Sequence, residues 1–285
     1  MPIGYWAHLF VLPEHRKLML YPQLVFTMRR AMAELGIQAI ITAMRRPAVT
    51  EGHLKLGFKS VCAWPVLLKP LRPFSLLAKH KGSRAAAMVA PVGDSLWRCG
   101  QSLRHRAGAS NIDIVSAQQI RQDPRLLQHI AGLIAVCRGD RFGTEWTPEL
   151  LAARLAGGVD GEPYRVAIER DGQDVRGVAI YRLATRGNGI RTGVVLELAA
   201  SNADQHVLQK LALSCEHQLH SAGAEAILWL DGAGRSTSTV LRGLGYRVAP
   251  EETYRLIAYT TDKADVLLSS DADEWRFTFL DHDAF

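Results

Sequence analysis

His53-Leu54-Lys55-Leu56-Gly57-Phe58 and Leu241-Arg242-Gly243-Leu244-Gly245-Tyr246 share one pattern and between them define the architecture. Each ends a helix with a glycine and follows it with an aromatic residue. Pro47 to Leu56 reads as a short helix stopped by Gly57, and Phe58 to Leu68 as a strand region interrupted by Pro65. Upstream, Ile37 to Thr42 is a short apolar strand. Before it, Leu18, Tyr21, Leu24, Val25, Met28, Met32 and Leu35 recur at helical spacing. Pro22 is tolerated only in a first turn, so this helix starts near Leu20, and Gly36 supplies its C′ residue. Ile3 to Leu12 is an apolar, aromatic strand, broken from the helix by Pro13-Glu14-His15-Arg16. Strand, helix, strand, helix, strand argues for an α/β layer.

Working outward from Leu241, Ser236 to Leu244 is a helix stopped by Gly245, with strands at Ala226–Leu230 and Tyr254–Thr260 on either side. Asp204 to Ala222 is a long helix with Val207, Leu208, Leu211, Cys215 and Leu219 inward. Strands are expected at Gly193–Ala199, and at Tyr164–Glu169 and Val175–Ala184, the last two joined by the hairpin signal Asp171-Gly172. Thr147-Pro148-Glu149 and Asp123-Pro124 begin helices, and Ile112–Ser116 is a strand. Trp275 to Leu280 is expected as a last strand. Residues 70–110 carry Pro70, Pro73 and Pro91, and read as a connector with one short helix, Phe74–Lys79. The expected organisation is residues 1–72 as a half-domain, 73–110 as a linker and 111–285 as a complete domain.

Phe10-Val11-Leu12-Pro13-Glu14-His15-Arg16 resembles the V-x-P-x-x-R entry to the acyl-CoA loop of the GNAT (acyl-CoA N-acyltransferase) superfamily. His53 to Phe58 resembles that family's Y-x-K-L-G-F motif, and Leu241 to Tyr246 its klGF ending. The resemblance implies an α/β fold with a mixed sheet: the C-terminal half of one GNAT-like domain followed by a complete copy. A half-sheet would leave an open edge. Three explanations compete: a start that lies upstream, cover by the second unit, or cover by a second subunit in a homodimer. The first is favoured here.

The resemblance also implies an acyl-CoA, acetyl-CoA or another, as co-substrate and an amine-bearing small molecule or peptide as acceptor. It places the donor on Val11, Leu12, Arg16, Lys17 and Leu18. In the family the pyrophosphate sits on backbone N–H groups at a helix N-terminus. The family's R/Q-x-x-G-x-G/A becomes Arg16-Lys17-Leu18-Met19-Leu20-Tyr21, which keeps the arginine and loses both small positions. In the second copy Leu198-Ala199-Ala200-Ser201-Asn202-Ala203-Asp204 lacks the arginine and both glycines, so that copy reads as degenerate, structural or substrate-positioning. His53 stands where the family commonly has a tyrosine that protonates the leaving thiolate, and a histidine can do the same. Leu241 cannot. Glu197, a carboxylate inside an apolar strand, is either a base or the partner of an arginine.

Charge is uneven. Residues 1–106 hold 16 Lys+Arg and 4 Asp+Glu, while the remainder holds 18 and 24. The basic section suggests an anionic partner, whether a phosphorylated cofactor, a nucleic acid or an acidic lipid surface, or an internal attraction between sections. No zinc-finger, RRM or helix-turn-helix signature supports nucleic-acid binding. Cys62, Cys99, Cys137 and Cys215 form no CxxC pair and suggest no metal site, and Asp281-His282-Asp283, as close neighbours, suggest none either. No apolar run reaches the ~20 residues of a membrane span and no secretory signal is visible, so a cytoplasmic protein is expected. An N-acyltransferase is the leading function. The alternatives are a non-catalytic GNAT-like binding or assembly protein and a tandem-domain transferase using an aminoacyl-tRNA donor.

Overall fold

The computed structural model describes residues 3–6, 12–82, 84–104, 112–157 and 163–282. β1 (Ile3–Tyr5) leads through a 3₁₀ turn (Pro13–Leu18) to α1 (Leu20–Leu35), β2 (Ala39–Met44), α2 (Pro47–Lys55) and β3 (Lys59–Pro70). Two helices follow, α3 (Pro73–Lys81) and α4 (Arg84–Arg104). Next come β4 (Ile112–Ser116), α5 (Ala117–Arg121), α6 (Pro124–Arg138), α7 (Pro148–Ala156), β5 (Arg165–Asp171) and β6 (Asp174–Thr185). The chain closes with β7 (Arg191–Ala200), a 3₁₀ turn (Ser201–Ala203), α8 (Gln205–Ser221), β8 (Ala226–Leu230), α9 (Arg235–Gly243) and β9 (Arg247–Thr260).

The run from β1 to β3 therefore recurs from β7 to β9, down to its backbone bonds. Phe58 N–H donates to the His53 carbonyl at 3.2 Å, and Tyr246 N–H to the Leu241 carbonyl at 3.1 Å. Gly57 (φ 87°) and Gly245 (φ 95°) both take the left-handed conformation that the helix ends require.

The chain divides into two compact units, residues 1–65 with 251–275 and residues 66–250 with 276–285. This departs from the continuous 1–72 and 111–285 domains expected from sequence. The reason is strand pairing. In the first unit, β2 runs parallel to β1 and antiparallel to the C-terminal half of β9, with Ala39 to Met44 facing Thr260 to Arg255. In the second, β4 to β7 form an antiparallel meander, β8 lies parallel to β7, and Val66–Pro70 of β3 run antiparallel to Leu230–Ala226 of β8. Each copy's final strand thus pairs in the unit of the other copy. Among the described residues β1 is an edge strand.

The first unit's core is Val25, Met32, Ile40, Phe58 and Ile257. Aromatic rings extend it in a line: Trp6, Tyr21, His53, Phe58 and Tyr259, with neighbouring centroids 5.2 to 6.1 Å apart. The Arg29 guanidinium closes the line, 3.9 Å from the Tyr259 centroid.

In the second unit, β6 is buried without interruption from Gly177 to Leu183, so it is covered on both faces. α8 packs on β4 to β7, and α6 also packs on β6 and β7. Close approach of α8 depends on two glycines. A Cβ at Gly177 would lie 2.5 Å from Val207, and one at Gly193 would lie 2.6 Å from Leu219. α8 is also tied to β3 by a buried ion pair, Lys69 Nζ to Glu216 Oε2 at 2.7 Å. Burial pushes the Glu216 carboxyl up, and Lys69 and a Tyr246 hydrogen bond pull it back.

Two expectations need correction. Within the 70–110 connector, Pro73–Lys81 and Arg84–Arg104 form two packed helices rather than a loop with one short helix. Pro91 lies inside α4, and Gly93 is there to let the Phe74 ring approach, where a Cβ would sit 2.6 Å from it. Residues read as breakers are accommodated by packing. Trp275–Leu280 is not a ladder strand. It is a segment whose amides reach three separate carbonyls: Arg276 N–H to Phe142, Phe277 N–H to Gly232 and Leu280 N–H to Leu196.

Removing one member of a buried ion pair leaves the other uncompensated, at a cost of about 3–5 kcal/mol. Lys69→Met is therefore expected to destabilise the protein by about that amount in urea denaturation, and Lys69→Met with Glu216→Leu by much less. Equal losses in the single and double variants would contradict the pairing.

Candidate functional site

In the first unit the Pro13–Leu18 turn delivers the chain to α1 through Met19, which is left-handed at φ 55°. A non-glycine residue there is strained, and it stands at the first of the two small positions of the family pattern. Met19 gives α1 no side-chain cap, so the first N–H groups of that helix have no side-chain acceptor at the cap position.

Two turns of geometry bring Tyr21, in the first turn of α1, onto His53, near the end of α2. His53 is buried. Its Nδ1 lies 2.8 Å from the Val49 carbonyl, and its Nε2 meets the Tyr21 hydroxyl. A carbonyl only accepts, so Nδ1 carries the proton and Nε2 accepts from the phenol. Burial lowers the His53 pKa, partly opposed by the Val49 bond, and pushes the Tyr21 phenol up to about 12. At neutral pH the pair is a neutral imidazole beside a protonated phenol.

Of the donor-site residues expected from sequence, Leu12, Lys17 and Leu18 lie on or beside the turn and are exposed. Leu12 accepts the His15 N–H at 2.9 Å. Arg16 belongs to the turn by its backbone, and Val11 lies outside the described residues. The sequence does not single out Tyr21 beside His53, because the family pattern marks its position only as a lost small residue.

Glu197 sits in the second unit, so it belongs to a different unit from His53. It is fully buried and holds Arg276 through both oxygens, at 2.6 and 2.8 Å. Its Oε1 also accepts the Leu198 N–H at 2.7 Å. Of the two readings open from sequence, the geometry matches the partner of an arginine. Burial opposes the charge on Arg276, and Glu197, with smaller help from Asp281 and Cys137, raises the guanidinium's pKa on balance. The sequence signal was Arg276 beside Trp275, which alone names no partner.

Beyond this pair the sheet opens. β7 carries a bulge: Tyr181 faces Val195 and Ile180 faces Glu197, leaving Leu196 over. Pairing with β8 runs only from Thr192 to Val195, although β7 continues to Ala200. A cavity of about 390 Å³ follows, lined by Leu198 to Ala200, Asn202 and Ala203, by Gly234 to Thr237, and by Cys137, Arg141 and Arg276 among others. Asn202 and Ala203 are both left-handed, at φ 55° and 53°.

Backbone groups along this edge are taken up by the chain itself. Leu280 N–H takes the Leu196 carbonyl, Cys137 Sγ–H the Ala200 carbonyl at 3.3 Å, and Glu197 the Leu198 N–H. At the N-terminus of α8, Asp204 Oδ1 accepts from His206 N–H at 2.9 Å and Val207 N–H at 3.2 Å, while Oδ2 meets Arg176 at 2.9 Å. The Asp204 carboxylate thus caps α8.

No protein-family model and no curated sequence matches the chain. Solved structures do. A GCN5-related N-acetyltransferase from Anabaena variabilis superposes with a TM-score of 0.56 at 11% identity, over 90% of this chain and 55% of that one. Saccharomyces cerevisiae N-myristoyltransferase, with bound myristoyl-CoA and inhibitors, gives 0.58 at 11% identity, over 97% and 65%. A second structure of that enzyme, with bound myristoyl-CoA, gives 0.57 over 88% and 60%. The chain has the mixed α/β fold of the GNAT acyl-CoA N-acyltransferases. It spans between 55% and 65% of the length of these structures.

A neutral buried His53 makes acid conditions destabilising. As pH falls through about 6.5, the unfolded chain takes up a proton that the folded imidazole resists, so stability is lost below that point. In urea denaturation between pH 8 and 5, the wild type is expected to lose more stability than His53→Gln. Parallel curves would refute the assignment.

Proposed function

We propose that the chain belongs to an acyl-CoA-dependent N-acyltransferase whose donor site lies in the first unit. The observation that carries this reading is the Tyr21–His53 pair, set in the first turn of a helix that has no side-chain cap. At the same place in the second copy stands buried Leu241, and the helix corresponding to α1 is closed by Asp204. One copy keeps a proton-bearing group beside a helix N-terminus fit for an anion, and the other has lost both.

In this reading the turn Leu12–Leu18 and the first N–H groups of α1 face the donor's phosphates, with Arg16 and Lys17 adding positive charge. A neutral amine attacks the thioester carbonyl, the C–S bond breaks as the amide forms, and the leaving thiolate takes a proton. Tyr21, held protonated by burial, is the donor of that proton. The proton shed by the amine restores the phenol, with His53 Nε2 orienting the hydroxyl in between. The structural neighbours named above are an N-acetyltransferase and an N-myristoyltransferase, the latter solved with myristoyl-CoA bound, which agrees with this class of donor.

A second reading is a non-catalytic binding protein. What favours it is the self-filled edge of β7 and the loss of both small residues at Met19 and Tyr21.

Calorimetric titration of the chain with acetyl-CoA and with a long-chain acyl-CoA separates the two. Micromolar binding of at least one donor is expected, weakened about tenfold or more by Arg16→Ala, since charge-assisted contacts to phosphate are the strong ones. Tyr21→Phe should keep that binding while lowering thiol release across a panel of amines. A folded chain that binds neither donor would overturn the proposal in favour of the second reading.

A further inference from the structure

α4 is amphipathic in an unusual sense: its apolar stripe faces outward. Met88, Val89, Val92 and Leu96 follow helical spacing and are 83%, 60%, 67% and 70% exposed. The opposite-lying Ala90 is buried, Gly93 receives the Phe74 ring, and Asp94 caps α3 through the Phe74 and Ser75 N–H groups, at 2.9 and 3.2 Å. α3 adds two exposed apolar residues of its own, Phe74 and Leu77, and Trp97 is exposed on α4. A surface this apolar marks an interaction site rather than ordinary exposure.

The charge around it names the partner. Residues 70–106 hold seven Lys+Arg (Arg72, Lys79, Lys81, Arg84, Arg98, Arg104, Arg106) and one acid, Asp94. That excess equals the net +6 of the entire chain, so the remaining residues balance. The single acid is spent on capping α3. Lys81 and Arg84, at the helix junction beside the apolar stripe, are exposed, as is His80. Lys79 is engaged with Glu225 at 2.7 Å. No described helix is long and apolar enough to cross a membrane. An outward apolar stripe bordered by cations, on a helix too polar to span, is the composition of a helix that lies in the plane of an anionic bilayer. A protein partner would have to supply an acidic, apolar face of matching length; a lipid surface supplies both features at once.

We infer that the α3–α4 helix pair is a membrane-surface docking element that binds anionic lipid, with Met88, Val89, Val92 and Leu96 entering the acyl boundary and Lys81 and Arg84 facing the headgroups. This holds whether or not the donor site functions, because no residue of the helix pair belongs to that site.

The test is co-sedimentation of the full chain with vesicles of phosphatidylcholine alone and of phosphatidylcholine mixed with phosphatidylglycerol, across a salt series. Binding to the anionic vesicles is expected to exceed binding to the neutral ones about tenfold or more and to fall as salt rises. Val92→Glu with Leu96→Glu should abolish it, and Lys81→Glu with Arg84→Glu should weaken it about tenfold or more. These positions are exposed, and circular dichroism with thermal melting establishes that each variant is folded. The proposal is overturned if the folded wild type ignores anionic vesicles, or if the variants bind as the wild type does. It is also overturned if ultracentrifugation shows the apolar stripe consumed in a dimer that Val92→Glu with Leu96→Glu dissolves while vesicle binding is absent.

Discussion

The Glu197–Arg276 pair is the contact on which the second unit turns. A carboxylate with no exposure, inside a strand of apolar residues, is tolerated only when a cation and further donors meet it. Arg276 meets both oxygens. In doing so it fixes the start of the terminal segment, whose amides then reach Gly232 beyond β8 and Leu196 at the bulge of β7. The segment is locked further along as well. Asp281 accepts from the Thr278 N–H at 2.7 Å and from Trp146 Nε1 at 3.2 Å, and Arg154 donates to the Phe279 carbonyl at 3.2 Å. The bulge that separates β7 from β8 is thereby held open and partly filled by the same chain.

That arrangement gives the two copies different fates. Both retain the strand, 3₁₀ turn, helix, strand, helix, strand order, the glycine stop and a left-handed turn residue. In the second copy Asp204 caps the α8 amides, and the Leu280 N–H and the Cys137 thiol occupy β7 carbonyls. The first copy has no side-chain cap on α1 and holds a neutral histidine against a protonated tyrosine. Architecture rests on many apolar contacts and a site on few side chains, so a fold persists where a site changes. Here the divergence is visible residue by residue, His53 against Leu241 and Met19 against Asn202 and Ala203.

Much of this was legible in the sequence, for physical reasons that also explain the failures. Helices with a proper start, such as those capped by Asp123 and Thr147, were found because the cap and the following proline are local signals. The glycine stops at Gly57 and Gly245 were equally local. The α4 helix was missed because Pro91 and Gly93 are breakers in isolation, and only the Phe74 ring explains the glycine. The exchange of β3 and β9 between units could not be read at all: strand order beyond neighbours in sequence is a long-range choice. In the candidate site, His53 is legible through a motif, whereas Tyr21 and Arg276 are placed only through partners 32 and 79 positions away.

In the proposed function, donor binding belongs to the first copy. Hydrogen exchange of the full chain with and without acetyl-CoA measures this directly. Added protection is predicted over the Leu12–Leu24 turn and helix start and around Val49–Phe58, with Ser201–Leu208 unchanged. Protection confined to Ser201–Leu208 would place the donor on the copy that Asp204 and the terminal segment are argued to have closed, and would contradict the account.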